Sequence, residues 1–176
     1  MSRRENIEEW FMRYSDDIYK FLVYYTGQRD VEDLVQDVFI KAIKSYDNFQ
    51  GRSQPKTWLL TIARNTAIDH SRKKRLLNWL PDNWLLHVRE TGPTPEEIIG
   101  ENEEKRLVYQ AVSQLKPAYR EVIILRSIKG LSLTETASIL GWSESKVSTT
   151  MHRAIKALQQ KCNEKKETKG MMNHVI

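Results

Sequence analysis

The stretch that decides the fold runs from Asp30 to Arg75 and begins DVEDLVQDVFIKAIKS at residues 30–45. Apolar residues recur in it at intervals of three and four, the spacing that places one continuous stripe along an α-helix of about 3.6 residues per turn. They are Val31, Leu34, Val35, Val38, Phe39, Ala42 and Ile43. The spacing therefore predicts a helix with a single buried face.

The opposite face of this predicted helix is acidic. Asp30, Asp33 and Asp37 stand about one helical turn apart, with Glu32 and Gln36 beside them. We name these residues the acidic strip. Charged residues lie on the surface of most helices, so the strip alone indicates only a solvated face. It is also a surface on which a basic partner can dock.

A polar loop and a second amphipathic helix follow the acidic strip. The loop covers residues 49–55, and the next apolar stripe predicts a helix that ends in four basic residues at 72–75. The predicted inward residues are Trp58, Leu59, Ile62, Ala63, Thr66 and Ala67. Basic residues at a helix end also complement the helix dipole. An acidic helix thus leads directly into a basic one.

Composition and charge favour an all-α protein with an anionic partner. The 176 residues include seven Gly and five Pro, and the apolar residues keep helical spacing in most of the chain. Lys and Arg outnumber Asp and Glu by 14 to 11 in residues 1–75 and by 13 to 5 in residues 105–176, whereas residues 76–104 hold 1 and 7. Two basic blocks flank an acidic connector, which favours contact with nucleic acid at two places.

Several functional classes are disfavoured by what the sequence lacks. The single Cys162 cannot form an internal disulfide, and we find neither a signal-peptide pattern nor an apolar run of about 20 residues. The four histidines at positions 70, 87, 152 and 174 have no ligand spacing for a metal. No nucleophile stands beside a base. We expect a cytoplasmic protein that is not an enzyme, uses no cofactor or metal, binds no small-molecule substrate and does not insert into a membrane.

The flanking segments complete the first half of the chain. An aromatic-rich stripe predicts a first helix from Ile7 to Tyr25, whose inward residues include Phe11. After it and the stretch described above, residues 77–104 form an acidic and apolar linker, in which Thr94-Pro95 begins a helix with a capping-box pattern.

The second half of the chain has the pattern of a helix-turn-helix. Pro117 opens a helix that stops at Gly130, and Ser132 with Glu135 predicts a capping box for a short helix closed by Gly141. Ser143 can cap a last helix. Its predicted inward residues are Val147, Met151, Ala154, Ile155 and Leu158, and its predicted outward residues are Ser145, Lys146, Ser148, Thr149, His152 and Arg153. Such polar groups can contact bases and phosphates in a major groove, although an ordinary antiparallel helix pair is an alternative.

In these features the chain resembles a bacterial RNA polymerase sigma factor of the extracytoplasmic-function type (ECF, group IV of the sigma-70 family). The first block of the resemblance consists of DLVQDVF at residues 33–39, TWLLTIARN at 57–65, Asp69 and the basic end at 72–75. The second includes LKP at 115–117, GLS at 130–132, Leu140-Gly141 and HRA at 152–154. The two blocks stand in the family's order.

The resemblance implies two small helical domains joined by a linker. Residues 1–76 correspond to sigma region 2, which binds core polymerase and recognises and melts the minus-ten element. Residues 105–176 correspond to region 4, a four-helix domain that ends in the helix-turn-helix, recognises the minus-thirty-five element and carries a basic disordered tail from about residue 162. The implied partners are the β′ clamp and β flap of RNA polymerase core, promoter DNA and an anti-sigma factor.

Residue roles follow from the same resemblance. Core binding is implied for Asp33, Gln36 and Asp37; minus-ten binding for Phe49, Arg52, Ser53, Asn65, Arg72 and Lys73; and minus-thirty-five binding for Lys146, Ser148, Thr149, His152 and Arg153. The loop at residues 49–56 would capture a base flipped from the non-template strand, with Trp58 assigned to the core. The chain departs from the family at Ser148 and Thr150, where relatives often carry a basic residue, and at Lys146, a position usually small. Pro55 and Lys56 are departures in the capture loop.

Two rival functions remain open at this point. A free-standing helix-turn-helix regulator would use residues 1–90 for sensing or dimerisation and would leave the stretch from Asp30 to Arg75 unexplained. A helical adaptor that binds no DNA would leave the polar face of the last helix without a role.

Overall fold

The structure is a computed structural model that describes residues 3–28, 30–77 and 103–172, with side chains at 5–28, 30–76 and 104–164. Every regular element among these residues is helical, which confirms the predicted all-α class. The chain divides into two compact units, Met1–Pro95 and Glu96–Ile176, so the prediction of two helical domains is also confirmed. The linker boundaries at 77 and 104 stay predictions. None of the helices searched among the described residues is long and apolar enough to span a membrane.

The first unit is built from three helices that pack against one another in every pair. They are α1 (Arg3–Thr26), α2 (Glu32–Ser45) and α3 (Pro55–Leu77), and a short 3₁₀ turn, Tyr46–Asn48, follows α2. Fully buried side chains from all three helices form the core, among them Phe21 of α1, Val38 of α2 and Leu59 of α3. The predicted apolar stripe of α2 is buried from Val31 to Ala42.

The width of the buried faces differs from the prediction at three positions. Phe11 and Ile43 were predicted to lie inward, but their exposed fractions are 44% and 47%. Leu60 lies outside the predicted stripe of α3, yet it is completely buried. Leu60 is buried because α3 packs against both α1 and α2 and so buries a broader face than a single partner would cover.

In the second unit the last helix is the common neighbour of the other three α-helices. The elements are α4 (Glu103–Ser113), α5 (Pro117–Ile123), a π-helical segment (Ile124–Ile128), α6 (Leu133–Leu140) and α7 (Glu144–Met172). Pro117 opens α5 as predicted, because its missing N–H is one that no helical carbonyl would accept. Val147 and Ala154 of α7 are buried against the other helices.

Two details of the second unit differ from the prediction. Ile155 was predicted to lie inward, but its exposed fraction is 39%. The tail predicted to be disordered from about residue 162 is helical as far as Met172, and Lys, Glu and Met, which favour helices, make up most of it. The predicted helix start at Thr94 lies outside the described residues.

Candidate functional site

The acidic strip is exposed along its whole length. Asp30, Glu32, Asp33, Gln36 and Asp37 are all solvent-exposed, whereas the opposite face of α2 is buried. The Asp30 carboxylate accepts a hydrogen bond from the backbone N–H of Glu32 at 3.3 Å, although Val31 is the formal N-cap residue. Carboxylates at a helix N-terminus are stabilised by the positive end of the helix dipole. The strip therefore projects negative charge into solvent from a stable element.

A groove between α1 and α2 borders the strip. Its volume is about 340 Å³, and its lining residues are Phe11, Ser15, Asp16, Tyr19, Glu32, Val35 and Gln36. Burial and, after it, the negative charges of Glu32 and Asp30 raise the pKa of Tyr19 above its ordinary value. Phe11 packs edge-on against Phe39 with ring centroids 4.9 Å apart. A partner that docks here meets an apolar surface beside the carboxylates.

An aromatic cluster fixes both ends of the loop at residues 49–54. The cluster consists of Trp10, Tyr46, Phe49 and Trp58. The Phe49 ring centroid lies 5.0 Å from that of Trp10 and 5.2 Å from that of Trp58. The Tyr46 hydroxyl accepts a hydrogen bond from Asn6 at 2.6 Å. The half-buried Phe49 is thus held by rings on α1 and α3.

The polar residues of this loop are available to a ligand to different degrees. Arg52 is exposed and Ser53 is half-buried. Gly51 adopts a left-handed conformation with φ of 66°, which an L side chain rarely adopts. Trp10 and Tyr46 were not predicted as neighbours of this loop, because residues that meet through tertiary packing have no local spacing that reveals them.

Basic and polar residues of α2 and α3 line a continuous part of the surface. One groove of about 370 Å³ is lined by Lys41, Lys44, Ser45, Asn48, Ile62 and Asn65. A second groove of about 620 Å³ is lined by Leu34, Asp37, Ile40, Lys41, Lys44, Thr66, Asp69, His70, Arg72, Lys73 and Leu76. The two grooves therefore share lysines of α2 and bring together three predicted residues of α3. Asp37 lines the second groove as well as belonging to the acidic strip.

Lys41, which the apolar spacing did not single out, joins α2 to α3 in this region. Its ammonium group lies 3.1 Å from the hydroxyl of Thr66 and 3.5 Å from the carboxylate of Asp69. The exposed Asn65 stands at the end of the same surface. The signal that could have found Lys41 is its place at the edge of the buried stripe of α2, from which a long basic side chain can reach a neighbouring helix.

The predicted capping of the helix-turn-helix is confirmed at both ends of α6. The Ser132 hydroxyl accepts from the Glu135 N–H at 3.1 Å, and the Glu135 carboxylate accepts from the Ser132 N–H at 2.8 Å. Gly141 closes α6 with a φ of 65°. Ser143 then caps α7 by accepting from the N–H of Lys146 at 3.2 Å. These local interactions set the angle at which α7 leaves the turn.

The outward face of α7 is polar, as predicted. Its exposed side chains are Ser145, Lys146, Ser148, Thr149, His152 and Arg153, whereas Thr150 is half-buried. The ammonium group of Lys146 lies 4.2 Å from the centroid of the Trp142 ring in the turn. Glu144 accepts a hydrogen bond from Thr134 of α6 at 2.7 Å. A capped short helix followed by a longer helix with a polar face is the arrangement of helix-turn-helix DNA-binding proteins.

Comparison with known proteins identifies the family within this class of DNA-binding proteins. A family profile described as Sigma-70 region 2 matches residues 10–76, and one described as Sigma-70, region 4 matches residues 105–158. The ECF RNA polymerase sigma factor SigX of Bacillus subtilis is 42% identical over 163 residues, which cover 89% of this chain and 83% of that protein. The RNA polymerase sigma factor YlaC of the same organism is 35% identical over 170 residues, or 95% of this chain and 98% of that protein.

A solved structure has the same fold. The sigma factor RpoE in its co-crystal structure with the anti-sigma factor NepR from Bartonella quintana matches with a TM-score of 0.74 and 26% identity, over 90% of this chain and 98% of that chain. The chain belongs to the ECF RNA polymerase sigma factors. It is accordingly a transcription initiation factor, which works with core RNA polymerase at promoters.

Proposed function

We propose that the acidic strip is the surface by which this sigma factor binds core RNA polymerase. Asp33, Gln36 and Asp37 are exposed on one face of α2, and a groove with apolar side chains lies beside that face. Carboxylates of this kind speed association with a basic partner and fix its register. The partner surface would be the clamp of the β′ subunit, with the β flap meeting residues 105–176.

Promoter contacts are proposed for two further surfaces. In the first unit, Phe49, Arg52, Ser53, Asn65, Arg72 and Lys73 would bind the minus-ten element. In the second unit, Lys146, Ser148, Thr149, His152 and Arg153 would bind the minus-thirty-five element. Cationic groups would contact phosphates and fix the register on the duplex, whereas the hydroxyl groups and His152 would contact base edges.

The observation that carries the proposal is the separation of charge along the chain. An exposed acidic face stands in the segment that matches sigma region 2, and an exposed polar and cationic face stands in the segment that matches region 4. Carboxylates repel phosphates, so the strip itself is better suited to a basic protein partner than to DNA. Two different partners account for both surfaces. Catalysis would then belong to the polymerase, and the chain would act in the cytoplasm without catalytic groups of its own.

Run-off transcription tests this function directly. The full chain is combined with bacterial core polymerase on a pool of random promoter sequences, and the transcribed templates are sequenced. We expect defined start sites that share two spaced elements, together with weak binding of duplex DNA by the chain alone. Transcription no more selective than that of core alone would refute the function. Sequence-specific duplex binding without core would favour a free-standing regulator.

We further propose that an anti-sigma factor controls this chain. Support comes from the relative RpoE of Bartonella quintana, whose solved complex contains the anti-sigma factor NepR. An inhibitor that covers the acidic strip would compete with core for the same residues. Excess core should therefore restore run-off transcription in its presence, and inhibition that excess core does not relieve would contradict this mode of control.

A further inference from the structure

A tryptophan in the turn of the helix-turn-helix lies against a lysine of the first turn of α7. The ammonium group of Lys146 lies 4.2 Å from the centroid of the Trp142 ring, well within the roughly 6 Å over which a cation and an aromatic face attract each other. Lys146 is exposed and Trp142 is half-buried. The pair therefore lies at the surface, at the beginning of the outward face of α7.

The backbone of both partners is fixed by the capping interactions of the turn. The Trp142 N–H donates to the carbonyl of Ala137 at 3.0 Å, beyond the left-handed Gly141; this is the bond pattern of a Schellman helix end. The Lys146 N–H donates to the hydroxyl of Ser143 at 3.2 Å. These hydrogen bonds fix the backbone at both residues. The side-chain torsions of Lys146 stay free to rotate, and contact with the indole ring restricts them.

The position of the ring determines where the lysine charge lies. Helix side chains point toward the N-terminus of their helix, and Trp142 precedes the first residue of α7, Glu144. The ammonium group is therefore drawn toward the turn and away from Ser148 and Thr149 in the next part of the outward face. A cation is unfavourable at the positive end of a helix dipole. Without the ring, the ammonium group of Lys146 would therefore move away from the N-terminus of α7.

We propose that Trp142 is a positioning residue for promoter recognition, which holds Lys146 at the edge of the recognition face for a phosphate contact. This inference rests on the proposed role of α7 at the minus-thirty-five element. A phosphate contact adds affinity without sequence information, whereas a lysine free to enter the groove can donate to guanine O6 and N7. By restraining Lys146, the ring leaves the base edges to the smaller side chains, Ser148 and Thr149.

The test uses the full chain bound to core polymerase on the promoter selected by run-off transcription and on its single-base variants. With Trp142 intact, Lys146→Ala should weaken binding to every variant by a similar factor and lower the slope of log affinity against log salt by about one. Trp142→Leu should change the preference at one or more minus-thirty-five positions by threefold or more, as estimated from the discrimination of a lysine–guanine contact. Trp142→Phe, which keeps an aromatic face, should retain the parent preference.

A double-mutant cycle separates positioning from a general effect on the fold. Lys146→Ala in the Trp142→Leu background should abolish the altered base preference, because the released lysine causes it. Lys156 provides the matched control, since it is exposed on the same helix. Lys156→Ala in the Trp142→Leu background should leave the altered preference in place.

Three results would overturn the inference. The first is a loss of preference at one base pair in the Lys146→Ala single variant, which would show that Lys146 already contacts a base. That result does not depend on whether Trp142→Leu folds. The second is an unchanged preference in a folded Trp142→Leu variant. The third is an altered preference that persists after Lys146 is removed. If the parent selected no minus-thirty-five element at all, the proposed function would fail and this inference with it.

Discussion

Some exposed side chains of α7 are cationic and others carry hydroxyl groups, and the proposed role of each kind can be measured separately. Arg153 is exposed on the outward face. Arg153→Ala should weaken binding of the holoenzyme to all promoter variants and lower the salt slope by about one, because a single phosphate contact releases about one counterion. Gln159→Ala removes an exposed uncharged side chain from the same helix and should leave the slope unchanged. Equal slopes for Arg153→Ala and the parent would remove this residue from the interface.

Tyr19 reports the electrostatic potential of the acidic strip. Its pKa is raised above the ordinary value of 10.0, mainly by burial and to a smaller degree by the negative charges of Glu32 and Asp30. Glu32→Gln should therefore lower the pKa of Tyr19 part of the way toward that value, as followed by NMR of ¹³Cζ-labelled tyrosine. Tyr24, whose pKa burial alone raises, is the control and should not move. A shift of both tyrosines, or of neither, would contradict the stated cause.

The sign of the linked stability effect follows from the raised pKa. A folded-state pKa above the unfolded one means that the folded chain holds the phenol proton more tightly. Tyr19 and Tyr24 then contribute full stability below about pH 10, and that contribution is lost as the pH rises through their folded-state values. Glu32→Gln should make the alkaline decline in stability shallower.

At the scale of elements, the capping box of α6 is a stabilising feature with a direct test. Ser132→Ala removes the hydroxyl that accepts from the N–H of Glu135 at 3.1 Å, and loss of such a cap destabilises a helix by about 1 kcal/mol. Hydrogen exchange of the α6 amides should accelerate about fivefold. Ser138→Ala replaces an exposed serine inside the same helix and should leave exchange unchanged or slower. Equal exchange in Ser132→Ala and the parent would show that the cap does not limit opening.

The elements whose limits depend on local chemistry could be predicted from the sequence. Each residue that sets such a limit acts on backbone groups within a few positions of itself. They are Pro117 at a helix start, Ser132 with Glu135 in the capping box, the left-handed Gly141 and the Ser143 cap. The π-helical segment Ile124–Ile128 could not be predicted, because its wider turn accommodates packing between helices and leaves no mark in the apolar spacing.

The exposed faces of the candidate surfaces could be predicted from the sequence, but the contacts between helices could not. The exposure of the acidic strip follows from helical period alone, because its residues lie opposite a buried stripe. The exposure of Phe11 and Ile43 depends on which neighbours the helices find, and so do the contacts of Lys41 with Thr66 and Asp69. The approach of Trp10 to Phe49 joins positions far apart in the sequence, which periodicity does not relate.

At the scale of the whole molecule, we propose that core binding and minus-thirty-five recognition use separate surfaces of one small chain. The strip occupies α2 of the first unit, and the polar face occupies α7 of the second. If the roles are separate, a substitution on one surface should leave the other function intact. A chain that used a single surface for both would lose both functions together.

The most direct test is the affinity of full-length variants for core polymerase, measured by competition with the labelled parent near physiological salt. Asp33→Lys with Asp37→Lys should weaken core binding by about tenfold or more, because like charges then face each other across the interface. Glu8→Lys with Glu9→Lys makes the same change in net charge on exposed residues of α1 and should keep the parent affinity, as should Arg153→Ala. Parent-like affinity of the variant with both strip aspartates reversed would contradict the proposal that the strip binds core polymerase.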